Sequence, residues 1–196
     1  MRSRPRSIVL AIDPGLAAVG YILARVWPGS TWDVEVYAGD VLHAELPPTD
    51  ERFLDVNDET TKRAIMQVRR VIEIIRDEGV TVVVAETISH PRDAGTALKV
   101  MAFWTLLVYV LDEQGLPFVK LRPQDIRQAL KLPKTKRTMT RDQKKKLVHD
   151  ALLALYGADK LKALLGHLSR KEDRSHPLDA LASFTAVMSN QFGSNG

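Results

Sequence analysis

Two acids stand where a charge is costly. Asp13 closes the apolar run 8–12 (IVLAI), and Glu86 closes 82–85 (VVVA). A carboxylate at the end of a buried strand needs a cation, hydrogen-bond donors or an exit to solvent. If the two strands are adjacent and parallel, both carboxylates leave the same edge of the sheet, where open α/β sheets hold ligands. The third element is 175–182 (SHPLDALA). His176 and Asp179 are three residues apart, on one face of a helix. Asp179 precedes Ala180, Leu181, Ala182, Phe184, Ala186 and Val187, so it points toward packed structure. Three carboxylates and a histidine make an oxygen-rich donor set that suits Mg²⁺ or Mn²⁺ better than structural zinc. The chemistry such a set supports is in-line phosphodiester hydrolysis, with two ions about 3.5–4 Å apart activating a water and stabilising the leaving oxygen. Taken singly, each acid also fits a plainer role: a strand emerging, a cap, or a charge complementing a helix dipole.

Stepping outward, the apolar patterning gives the elements that would hold these groups. Residues 7–13, 19–26 and 33–42 read as three strands with short links, an antiparallel meander. Residues 45–57, with Pro47 and Pro48, read as a loop. Ala64, Ile65, Val68, Val71, Ile72 and Ile75 recur at helical spacing, and Gly79 marks that helix's end. A buried strand over 80–85 follows, then an apolar helix over 94–113 stopped by Gly115, then a strand over 117–121. The remainder reads as helices over 123–131, 140–156, 158–168 and 177–190, with Leu147, Ala151, Leu152 and Leu155 forming the apolar side of the second and Pro177 in the first turn of the last. This order predicts an α/β fold: a five-stranded mixed sheet, three antiparallel strands and then parallel ones, flanked by helices. Residues 1–6 form a basic N-terminal arm, 7–190 one domain, and 191–196 a small polar tail.

The 196 residues carry a net charge of +4. That total conceals its distribution. Residues 120–146 hold eleven Lys or Arg against two Asp, a net +9, which leaves the rest of the chain at −5. Such a segment can grip a polyanion beside an acidic site; it also fits a solvated helix face. The absence of cysteine excludes disulfide scaffolds, thiolate metal sites and cysteine catalysis. No apolar run reaches bilayer length, and the N-terminus lacks the apolar core of a signal peptide, so an intracellular protein is expected. The helix over 94–113 is apolar almost all round, which suggests a dimer interface or, alternatively, a helix sandwiched in the core.

Four blocks together resemble the RuvC family of Holliday-junction resolvases, within the ribonuclease H-like (retroviral integrase) superfamily. They are IVLAIDPGLAAVGYILA, VVVAETISHPRDAGTALKV, LPFVKLRPQDIRQALK and SHPLDALASFTAV, in the family's order over roughly residues 7–190. The resemblance implies that Asp13, Glu86 and Asp179 are catalytic metal-binding acids. His176 falls where many relatives carry a fourth acid and some a histidine, which makes it a metal ligand or a proton shuttle. It further implies two Mg²⁺ per site, replaceable by Mn²⁺, a homodimer matching the two-fold symmetry of a four-way junction, and residence in the cytoplasm of a bacterial or phage-infected cell, or in an organelle. The expected DNA contacts are Arg122, Arg127, Lys134, Lys136, Arg137, Arg141, Lys144, Lys145 and Lys146. Two departures stand out. Several relatives have a junction-wedging aromatic three residues after the second acid, whereas this chain has Ser89, followed by His90; these two would be the junction contacts here. The stretch 130–146 is also unusually basic.

The function expected is therefore metal-dependent resolution of four-way DNA junctions. Other branched DNA (flaps or forks) or RNA–DNA hybrids are the alternative substrates. A phosphotransferase is a weaker reading: residues 13–20 (DPGLAAVG) fit the phosphate turn of the actin–sugar-kinase superfamily, but the chain is short for its two lobes. A non-catalytic DNA-binding module would leave the acids unexplained.

Overall fold

A computed structural model describes residues 5–15, 17–27, 33–44, 59–87, 94–133 and 138–192. The elements are β1 (Ser7–Asp13), β2 (Ala18–Trp27), β3 (Asp33–His43), α1 (Glu59–Glu78), β4 (Val82–Glu86), α2 (Ala94–Glu113), β5 (Phe118–Leu121), α3 (Pro123–Ala129), α4 (Arg141–Tyr156), α5 (Ala158–Leu165) and α6 (Lys171–Phe192). The five strands form one sheet in the order β3-β2-β1-β4-β5. β1 pairs antiparallel with β2 and β2 with β3, while β4 runs parallel to both β1 and β5. The loop expected over 45–57 lies outside the described residues.

Both faces of the sheet are covered, which is why β1 is apolar without alternation. Leu10, Ile12 and Val83 pack with Val68, Val71, Phe103 and Leu107 of α1 and α2. Val9, Ala11, Ile22 and Val84 pack on the other face with Ile126, Leu152, Leu181 and Phe184 of α3, α4 and α6. α1 forms because Ala64, Val68, Val71 and Ile75 fall on one stripe, and all four are buried. It stops at Gly79, whose φ of +65° is the left-handed conformation glycine adopts at least cost; the Val80 amide then donates to the Ile75 carbonyl at 2.9 Å. α2 ends the same way at Gly115. No helix among the described residues is long and apolar enough to cross a membrane.

Two expectations change. α6 begins at Lys171, six residues before Pro177, so the proline lies inside the helix and does not start it. Lacking an N–H, Pro177 cannot donate to the helical carbonyl four residues back, a defect the local sequence signalled as a start. On α4, Leu152 is fully buried but Leu155 is 61% exposed, so the apolar side is narrower than the spacing of leucines indicated.

Candidate active site

Strand alternation decides which way the acids face. In β1, Val9 and Ala11 pack on the α6 side, and Asp13 continues that series; in β4, Val84 packs on the same side, and Glu86 continues it. The parallel register pairs Ile12 with Ala85, so Asp13 and Glu86 leave adjacent strands together. Asp179 comes to them from α6, one turn after Ser175 and His176.

Gly20 makes the approach of α6 possible. It lies opposite Asp13 in the antiparallel ladder. A Cβ on Gly20 would overlap the backbone of His176 and lie 2.6 Å from the Pro177 nitrogen. Without a side chain at this position, the α6 backbone rests directly on β2, and His176 Nδ1 comes within 2.7 Å of Asp13 Oδ2. A carboxylate only accepts, so Nδ1 carries the hydrogen and Nε2 is the atom left for other partners. The bond to Asp13 also raises the His176 pKa above the ordinary imidazole value, against the opposing effect of burial.

The acids repel one another. Burial, then the charges of Asp13 and Asp179, push Glu86 from 4.5 to about 7. Burial, then Asp13, push Asp179 from 3.8 to about 6, although Lys145 and His176 pull it back. Lys145 Nζ of α4 lies 3.5 Å from Asp179 Oδ2 and donates to Ser175 Oγ at 3.1 Å. Among the described residues, Glu86 has no ion-pair partner. Such a surplus of negative charge calls for a cation, and three carboxylates with an imidazole are the donor set a hard divalent ion takes. The donors fit such an ion in kind. They are not yet gathered around one: among the described residues, no three such side chains are disposed to hold a single metal. His176 holds Asp13, and Lys145 holds Asp179.

Beside the acids runs a cleft of about 180 Å³. Glu86 and Asp179 line it together with Arg127, Lys144 and Lys145, over an apolar floor that includes Ile126 and Val148. The three consecutive lysines part company. Lys145 turns to Asp179, Lys144 lines the cleft, and Lys146 turns away to Asp150 at 2.6 Å. α4 holds them there: Thr140 and Gln143 cap it reciprocally, the Gln143 amide donating to Thr140 Oγ1 at 3.2 Å. Arg122 forms a bidentate pair with Asp125, at 2.9 and 3.0 Å, at the start of α3. Lys134, Lys136, Arg137, Ser89 and His90 lie outside the described residues, as does the side chain of Arg141.

Two participants were not legible as such in the sequence. Lys145 reads there as one of a run of phosphate contacts, and only the turn of α4 shows that it faces an acid. Gly20 carried a signal that could have been used, since a glycine inside a strand often marks close backbone approach.

Sheet order, register and the three-layer packing define a ribonuclease H-like fold. The solved structures most like it in shape include Thermus thermophilus RuvC in complex with a Holliday junction substrate, at 20% identity and a TM-score of 0.62, over 95% of this chain and 97% of that one. The yeast mitochondrial Holliday junction resolvase Ydc2 aligns over 95% of this chain and 80% of its own, at 19% identity and a TM-score of 0.58. Fowlpox virus resolvase, solved with junction DNA, aligns over 94% and 99%, at 11% identity and a TM-score of 0.55. No family model and no curated protein matches the sequence. The likeness to these resolvases is one of fold.

Proposed function

We propose that this chain is a metal-dependent, structure-selective endonuclease that resolves four-way DNA junctions by paired phosphodiester hydrolysis. One observation carries the reading. Asp13, Glu86 and Asp179 converge with His176 on the α6 side of the β1–β4 edge, and Arg127, Lys144 and Lys145 line the same cleft as Glu86 and Asp179. Asp13, Glu86, Asp179 and the Nε2 of His176 would hold Mg²⁺, or Mn²⁺ in its place, with two ions per site. When bound, such ions supply Lewis-acid charge to the scissile phosphate and lower the pKa of the attacking water. The protein's own groups do the rest. Lys144 and Arg127 hold phosphates flanking the acids, a contact blind to sequence. His176 keeps its proton on Nδ1 through Asp13, which leaves the Nε2 lone pair available to the ion.

Two cuts on opposed strands call for two sites related by a two-fold axis, and the reading includes a homodimer. The surface offered for it is α2. Phe103, Trp104, Leu107 and Leu111 are consumed by the core, but Met101 and Tyr109 are 53% and 62% exposed beside an apolar groove of about 530 Å³. The test is a pair of measurements on Asp13→Asn. Junction binding in EDTA should stay within about threefold of wild type, while cleavage in Mg²⁺ should fall to background. An Asp13→Asn variant that cuts normally sinks the proposal.

A further inference from the structure

We infer that Lys145 guards the acidic cluster: without DNA its ammonium group occupies Asp179 in place of a metal ion, and the phosphates of a bound substrate draw it away, so that divalent metal loads tightly only once DNA is present. This rests on the reading of the acids as a metal site. The geometry supports it in four ways. The Lys145 ammonium is anchored at two points on one face of α6, Asp179 Oδ2 at 3.5 Å and Ser175 Oγ at 3.1 Å. Its side chain keeps 33% of its surface accessible, so a phosphate can reach it. It lines the cleft beside Arg127 and Lys144, where a polyanion would run. Its neighbour Lys146 is committed elsewhere, to Asp150.

A lysine ammonium is a compact point charge on a flexible stem, suited to changing partners without moving the backbone. A divalent ion that uses Asp179 must displace it. Phosphate offers the displaced ammonium a charge-assisted hydrogen bond in exchange. By linkage, whatever metal binding gains from DNA, DNA binding gains equally from metal. Lys145 is in this sense a positioning residue, acting on the metal through Asp179. The benefit is selectivity: a nuclease that stays poorly loaded off its substrate cuts less indiscriminately.

The test is Mn²⁺ affinity of the full chain without DNA, by calorimetry, for wild type, Lys145→Met, Lys145→Arg, Lys146→Met and Glu86→Gln. Lys145→Met should bind Mn²⁺ about three- to tenfold tighter, the scale expected for removal of a partly buried competitor. Lys146→Met removes the same charge without touching Asp179 and should stay within about twofold of wild type, as should the charge-preserving Lys145→Arg. A second readout follows the linkage: Ca²⁺ should tighten wild-type binding to an immobile junction more than it tightens binding by Lys145→Met. Equal Mn²⁺ affinities for Lys145→Met and wild type, with binding still lost in Glu86→Gln, overturn the guarding role and leave the metal site standing. An equal rise in Lys146→Met also overturns it, since the effect would then be bulk charge. Failure of wild type and Lys145→Met alike to bind Mn²⁺ overturns the metal-site reading beneath it.

Discussion

Replacing Glu86 with glutamine should make the metal-free protein more stable while removing its proposed activity. Glu86 is held among buried surroundings and two further acids, which raise its pKa from 4.5 to about 7. At 1.36 kcal/mol per pH unit, that rise sets a ceiling of about 3 kcal/mol on the cost of its charge. Asp13 and Asp179 relax when Glu86 is neutralised, and the cleft admits solvent, so a gain of about 1–3 kcal/mol is expected. The sign follows from linkage. The folded carboxyl holds its proton more tightly than the unfolded one. Stability is therefore intact below about pH 4.5, the unfolded value, and is lost as pH rises through about 7. Glutamine does not titrate, so the difference between variant and wild type should be small near pH 4.5 and full by pH 8. For a domain of this size each kcal/mol moves the midpoint by about 2–4 °C. The assay is thermal or urea unfolding in EDTA at both pH values, repeated in Mg²⁺ at pH 8, where wild type should gain more than the variant. A Glu86→Gln protein no more stable than wild type at pH 8 in EDTA would refute the repulsion argued from the geometry.

Three further outcomes are expected. Gly20→Ala should destabilise the fold by roughly 1–3 kcal/mol, because its new methyl meets the backbone of His176 and Pro177 and cannot be accommodated by a rotamer change; cleavage by the folded fraction should also fall, since α6 must move away from Asp13. Thr140→Ala should cost about 1 kcal/mol by removing the α4 cap, read as a lower unfolding midpoint. Lys144→Ala should weaken junction binding and reduce the slope of log affinity against log salt by about 0.9, one phosphate contact's worth, with Mn²⁺ affinity essentially unchanged.

The strands were legible because their apolar runs are short, buried and bounded by turn residues, and helix ends at Gly79 and Gly115 were legible because glycine there has a conformational reason. Strand parity was available too: Asp13 follows Val9 and Ala11 by twos, and Glu86 follows Val82 and Val84, so a common face could be read once the strands are taken as parallel neighbours. Pro177 misled because a proline in a first turn and a proline in a helix interior have the same sequence neighbourhood, and only the helical course of residues 171–176 ahead of it separates them. Leu155 misled because spacing gives a face, not what lies against it. The division of labour among Lys144, Lys145 and Lys146 was illegible for the same reason, since each successive residue turns about 100° around the helix and the acid on α6 chooses which one it meets.

The most direct test is cleavage of an immobile four-way junction in Mg²⁺, beside linear duplex, flap, fork and RNA–DNA hybrid substrates carrying the same sequences. Paired, symmetrical nicks confined to the junction, absent with EDTA and absent in Asp13→Asn, are the expected result. Equal cutting of linear duplex, or no cutting of any substrate in Mg²⁺ or Mn²⁺, would contradict it.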